Sequence, residues 1–332
     1  MTTFPVCAST LSETELGDFI KRKYELTEDF NCKLFRTGVN HTYFISNNET
    51  KFVFRVYCYK WRTKIEIEQE LALLNLLKKN SLSVSYPISD TNGNFIQEIN
   101  APEGIRYGVL FSFAKGEKMR FMSPETCYSI GSLMAKIHNV TKNKKIDRVN
   151  YDTEILLNES YNHLKPFFSE ELDEMKFLKE MSDKIPKKIN ESNLLEDKSG
   201  IVHLDIWYDN LSVNNESEIT IFDFDNCGNG LLILDVGYFC KQLFFIESDK
   251  SEYELKTKNF LNGYQKIRHL SEKEIELIPE VGASIFLFYL GVQAQRFDWS
   301  NIFFTENYLK MFVGRIRNWM EYYENKRNNC DR

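Results

Sequence analysis

The chain has 332 residues, of which 42% are hydrophobic, 27% charged and 14% aromatic. That composition supports a packed core and excludes a disordered chain. A formal net charge of -6 without a basic stripe argues against a dedicated nucleic-acid binder. The seven cysteines (7, 32, 58, 127, 227, 240 and 330) are odd in number and scattered, with no Cys-x-x-Cys pair. Neither a disulfide framework nor a zinc ribbon is therefore expected. The first ten residues lack a basic region followed by an apolar run, and the apolar stretch Ile285 to Val292 is too short to span a bilayer. The expectation is a soluble cytoplasmic protein with no membrane partner.

The first third reads as strands plus one helix. Residues 32–35 and 43–46 pattern as strands joined by the polar segment Arg36 to Thr42. Lys51 to Tyr57 alternates as a half-buried strand, with Phe52, Phe54 and Val56 on one face and Val53, Arg55 and Tyr57 on the other. Thr63 to Lys79 has helical spacing, and Glu70 falls in the middle of its apolar arc of Ile67, Leu71, Leu73, Leu74 and Leu77. A carboxylate there is costly unless paired. Arg55 is the expected partner of Glu70, with Glu66 as the rival acid. Further strands are expected at 95–98 and 107–113, before Ala114-Lys-Gly-Glu117.

From Ser123 onward the pattern is mostly helical. Ser123-Pro124-Glu125 supplies an N-cap, a first-turn proline and an early acid. Residues 143–199 read as two surface helices punctuated by Pro166 and Pro186, and 200–227 as a compact β insert. Beyond Leu234 helix follows helix, with Gly263, Pro279 and Gly291 as breaks or kinks. The economical architecture is α+β: a β-rich unit, residues 1–113, then an α-rich unit, residues 114–332, with 114–117 as connector.

The chemistry concentrates in Ile201-Val-His203-Leu-Asp205-Ile-Trp-Tyr-Asp-Asn210-Leu-Ser-Val213, followed by Ile219-Thr-Ile-Phe-Asp223-Phe-Asp225. If Val213 faces Thr220 in a hairpin, Asn210 and Asp223 lie opposite each other at its open end. An amide oxygen beside a carboxylate suits Mg²⁺, which recruits phosphate oxygens. Asp205 is placed to orient a substrate hydroxyl and accept its proton. His-x-Asp-x-x-x-x-Asn followed by Asp-Phe-x is the spacing of protein-kinase-type phosphoryl transfer.

Asp223-Phe-Asp-Asn-Cys-Gly228, with Leu-Asp235-Val-Gly-Tyr after it, resembles the aminoglycoside phosphotransferase and choline kinase superfamily over most of the chain. The resemblance implies a bilobal protein-kinase-like fold and a kinase that moves the γ-phosphate of ATP or GTP to a small hydroxyl acceptor, aminoglycoside-, choline- or homoserine-like. It implies Asp205 as catalytic aspartate, His203 as organiser of its loop, and Asn210 and Asp223 as Mg²⁺ ligands. Asp225 is a second metal contact or a structural acceptor, and Asp235 would brace the loop from the following helix. Arg55, paired with Glu70, takes the place of the family's phosphate-binding lysine, and a nucleotide base would meet the backbone near Ser112 and Phe113. Leu204 replaces the family's usual glycine. Trp207 and Tyr208 are candidates for substrate contact or packing. Gln293, Arg296, Asp298 and Trp299 are candidates for an acceptor wall or solvated helix surface, whereas Ile285, Phe286, Phe288, Tyr289 and Val292 read as core. The rival functions are a protein Ser/Thr kinase, a nucleotide-sugar transferase using Asp223-Phe-Asp225, and a catalytically silent nucleotide-binding regulator.

Overall fold

A computed structural model describes residues 4–192, 198–214, 218–296 and 304–330. The chain divides into two compact units, Met1–Lys115 and Gly116–Arg332. It is an α+β fold, with an antiparallel sheet in the first unit and a helical second unit.

The first unit opens with a helix that the sequence analysis does not place, α1 (Glu13–Tyr24), capped by the Ser12 side chain. Its buried stripe is only Leu16, Gly17 and Ile20, too thin to stand out from its charged residues. Six antiparallel strands follow: β1 (Asn31–Arg36), β2 (Asn40–Ser46), β3 (Lys51–Tyr57), β4 (Pro87–Ile88), β5 (Ile96–Ala101) and β6 (Gly104–Ser112). Their order is β1-β2-β3-β6-β4, with β5 also paired to β6. The β1–β2 connection is shorter than the polar segment suggests, because β2 already begins at Asn40. Leu16 and Ile20 of α1 pack with Tyr43, Ile45, Phe54, Val56 and Leu110. The alternation of β3 is real, but Phe54, Arg55, Val56 and Tyr57 are all buried. The strand is therefore covered on both faces over its second half, not half-buried. Helix α2 (Lys64–Lys79) starts at a capping box formed by Thr63 and Glu66.

In the second unit α3 (Pro124–Thr141) is capped by Ser123 as expected. The short β7 (Asn150–Tyr151) is followed by a π-type stretch, Glu154–Glu159, which runs into α4 (Ser160–Leu164). Helix α5 (Asp173–Glu191) carries Pro186 inside it, so that proline does not end a helix. Strands β8 (Ser199–Val202), β9 (Leu211–Asn214), β10 (Glu218–Ile221) and β11 (Gly228–Leu231) form the β insert. Helices α6 (Ile233–Ile246), α7 (Lys250–Gln265), α8 (Glu272–Glu276), α9 (Ile278–Gln295) and α10 (Glu306–Cys330) complete it. Buried almost throughout, α9 packs against α4, α5, α6 and α10. Neither inner glycine breaks a helix. A Cβ on Gly263 would lie 2.0 Å from the Tyr128 carbonyl oxygen, and one on Gly291 2.8 Å from Cα of Ser160. Both allow helices to approach closely. Among the described residues no helix is long and apolar enough to cross a membrane, and Cys7, Cys32, Cys58, Cys127, Cys227 and Cys240 are free thiols.

Candidate active site

Residues 203–210 form the loop between β8 and β9, ending in the 3-10 turn Tyr208–Asn210. The hairpin register pairs Val213 with Ile219 and Leu211 with Ile221. Asn210 therefore opposes Phe222, whose N–H donates to its carbonyl at 3.1 Å. This corrects the expected register by one residue, since Asp223 lies just past the last rung. There Asp223 turns into the left-handed region, φ 64°, which a short polar side chain tolerates better than most.

The Asp205 carboxylate is oriented from two sides. The Tyr238 hydroxyl donates to Oδ1 at 2.5 Å and Nδ2 of Asn210 donates to Oδ2 at 2.9 Å. Nδ2 of Asn210 also reaches the Asp205 carbonyl at 3.0 Å. Because both bonds need an amide N–H, the Asn210 oxygen is the atom left for a cation. Burial pushes the Asp205 carboxyl up to about 7, against the Tyr238 bond and with the nearby Asp223 charge.

His203 bridges the loop and the hairpin. Nε2 donates to the Phe222 carbonyl at 3.1 Å while Nδ1 accepts from the Asp205 N–H at 3.1 Å. One donor and one acceptor define a neutral imidazole, in keeping with burial that lowers its pKa. His203 thus ties the Asp205 backbone to the end of the hairpin.

The loop is held from below by Asp235 on α6. Its carboxylate accepts from the N–H groups of His203 (2.9 Å) and Leu204 (2.6 Å), and contacts Nε2 of His138 at 3.0 Å. Burial alone would raise this carboxyl; the His138 bond and the backbone N–H hold it below the usual range. Leu204 lies in the left-handed region, φ 60°, with its side chain fully buried. The conformation for which a glycine is suited is thus kept with a leucine, pinned by Asp235. His138, buried in the last turn of α3, meets the Tyr264 hydroxyl through its other nitrogen at 2.6 Å.

Asp225 is buried on the one-turn segment Phe224–Asn226, and its carbonyl accepts from Arg148. Trp207 and Tyr208 are half-buried and stack edge-on, 4.7 Å between centroids. The stripe of α9 is core as expected, and the Tyr289 hydroxyl donates to the Leu204 carbonyl at 2.9 Å. Among the described residues, no hydrogen-bond donor meets the buried Gln293 side-chain oxygen. Asp298 and Trp299 lie outside the described residues.

In the first unit Arg55 Nη1 meets Glu70 Oε1 at 2.8 Å, and the Tyr57 hydroxyl donates to Oε2 at 2.9 Å. The rival acid, Glu66, is engaged in the cap of α2. The N–H of Ser112 donates to the Tyr86 carbonyl at 2.9 Å and its carbonyl accepts from Ser85. The Ser112 N–H is therefore already engaged within the first unit. Phe113 packs edge-on against Phe44, with the Lys51 ammonium 4.5 Å from its ring centre.

The sequence reasoning missed Tyr238 and His138 as partners of the two carboxylates. Tyr238 was within sight, three residues after Asp235. His138 carries no local signal.

Among the described residues no three His, Cys, Asp or Glu side chains cluster as a metal cage. An Asn oxygen with one or two carboxylates is nonetheless a suitable donor set for a hard cation that keeps waters and phosphate oxygens.

The chain is similar to known kinases in sequence and in fold. The chain is 26% identical to homoserine kinase from Bradyrhizobium diazoefficiens over 87% of its own length and 85% of that protein. The structure of a microcompartment-associated aminopropanol kinase superposes with a TM-score of 0.77 at 19% identity, covering 94% of this chain and 98% of that one. An amicoumacin kinase, solved in complex with AMP-PNP, Ca²⁺ and Ami, gives 0.76 at 18% identity over 93% and 94% of the two chains. The profile of the phosphotransferase enzyme family matches residues 31–270. This chain belongs to the phosphotransferase enzyme family.

Proposed function

We propose that the protein is a cytoplasmic Mg²⁺-dependent kinase that transfers the γ-phosphate of ATP or GTP to a hydroxyl of a small molecule. The observation that carries this reading is the doubly oriented Asp205 carboxylate. Tyr238 and Asn210 each bond one oxygen, leaving lone pairs on both for an acceptor hydroxyl. A carboxyl pushed toward 7 is well matched to accepting a proton near neutral pH. In the step, the acceptor oxygen bonds to the γ-phosphorus, the bond from that phosphorus to the β–γ bridging oxygen breaks, and the hydroxyl proton passes to Asp205.

Asn210, Asp223 and, as a further ligand, Asp225 would hold the cation. When bound, it neutralises charge on the donor phosphates. Arg55 would anchor donor phosphate; its planar fork is kept in one orientation by Glu70. Phe113 would meet the nucleotide base.

Asp205→Asn nearly preserves shape, so kcat for the acceptor should fall by about 10²–10⁴-fold with nucleotide affinity little changed. Asp223→Ala should instead weaken Mg²⁺–nucleotide binding, measured by calorimetry. Wild-type turnover in Asp205→Asn with a true acceptor would refute the assignment.

A further inference from the structure

Lys241 on α6 plays no part in the chemistry above, and its surroundings are unusual for a lysine. It is 3% exposed. Its ammonium sits 4.4 Å from the Tyr238 ring centre, 4.3 Å from that of Phe286 and 5.5 Å from that of Tyr289. Among the described residues no carboxylate lies within ion-pairing distance of Nζ, and no hydrogen bond engages it. The charged groups that act on it are Asp205, which favours its charge, and Arg315 on α10, which opposes it. Burial lowers its pKa to about 7. The attraction of three ring faces is smaller than the cost of burying an unpaired ammonium. A site of this kind is completed by an anion.

Tyr238 ties this cage to the reaction centre. Its hydroxyl donates to Asp205 while its ring face carries Lys241, one helical turn further along α6. A molecule bonded to Asp205 beside the Tyr238 hydroxyl needs only the length of that ring to bring a second group to Nζ. We propose that Lys241 is the anion subsite of the acceptor, and that the acceptor is a small hydroxy compound bearing a carboxylate. The inference rests on the kinase reading and names the acceptor class for that same site. A carboxylate fits better than a phosphate, because one lysine among aromatic rings offers a single charge, whereas a phosphate dianion calls for several charged donors.

The test measures nucleoside diphosphate release with matched pairs: L-homoserine, L-serine and L-threonine against the alcohols in which the carboxylate is reduced to CH₂OH. The acids should exceed their alcohols in kcat/KM by on the order of 100-fold for at least one pair. Lys241→Met should raise KM for that acid by a similar factor with a much smaller change in kcat. Lys241→Gln should do the same, and Lys241→Arg should recover part of the loss. Lys241→Met should keep or raise the wild-type Tm, since it replaces a buried charge with an apolar chain. Equal turnover of acids and alcohols, or an unchanged acid KM in both Lys241→Met and Lys241→Gln, overturns the proposal while the kinase reading stands. If no compound of either set is phosphorylated, the kinase reading loses its support, and calorimetry of L-homoserine on nucleotide-loaded enzyme decides the subsite. Binding that disappears in Lys241→Met upholds it; no binding to the wild type overturns it.

Discussion

The two units each bury a carboxylate that holds other groups in place, and they use it differently. In the first unit Glu70 meets Arg55, a side chain on the neighbouring element 15 residues away. The pair steadies one side chain. In the second unit Asp235 gathers His138, His203 and Leu204, separated from it by 97, 32 and 31 residues. That carboxylate steadies a backbone, and with it the left-handed Leu204 and the aspartate that follows. A local ion pair can be traded for another charge geometry. A carboxylate that answers several backbone and ring donors at once has no such substitute.

The comparison breaks most visibly at Asp235. Asp235→Ala leaves two buried N–H groups and the His138 ring without their acceptor, which should cost on the order of 5 kcal/mol in urea denaturation. In the same variant kcat should fall, because Asp205 loses its placement, while nucleotide binding is affected less. The pH dependence follows from the same groups. The carboxyl of Asp235 is held low in the folded chain, so its contribution is present above the ordinary carboxylate value and is lost as pH falls through its folded value. His203 is buried neutral, so folding is also opposed once pH drops below about 6.5, where the unfolded imidazole takes a proton. Urea midpoints should therefore decline on the acid side, and Asp235→Asn should flatten the lower part of that decline. A loss within 1 kcal/mol for Asp235→Ala would refute the brace.

Glu70→Ala comes next. It removes the carboxylate that Arg55 meets at 2.8 Å in a buried site, where the Phe111 and Tyr57 ring faces lie at 4.9 and 5.6 Å, and should cost about 3 kcal/mol. The kinetic signature should differ from that of Asp235→Ala: a raised nucleotide KM with kcat largely kept at saturation. Arg55→Lys should retain part of the affinity, since a point charge replaces some of the fork. If Glu70→Ala instead lowers kcat at saturating nucleotide, the division of labour between the two carboxylates is wrong.

The smallest effect is expected at Leu204. Leu204→Gly relieves about 1–2 kcal/mol of left-handed backbone strain but removes a fully buried side chain worth about 2–5 kcal/mol. The net should be a modest loss, visible as a lowered Tm in calorimetry. A Tm above the wild type would mean that strain outweighs packing there.

Much of this was legible along the chain. The α+β order, the cap at Ser123, the strand Lys51–Tyr57 and the Arg55–Glu70 pair follow from periodicity, cap chemistry and the cost of a lone buried charge. All of these act over a few residues or between adjacent elements. The spacing of His203, Asp205, Asn210 and Asp223 singled out the candidate loop for the same reason. The rule that flags Glu70 applies equally to Lys241, a single cation in the apolar run of α6, though not to what surrounds it. Tertiary structure alone decided the rest. The hairpin register moved Asn210 opposite Phe222, because strand pairing depends on which faces find a core. Gly263 and Gly291 became contact points because other helices pass close to them. Tyr238, which bonds Asp205, and His138, which bonds Asp235, lie on helices 33 and 97 residues away, and a hydrogen bond between distant residues leaves no period, run or spacing for a linear reading to detect.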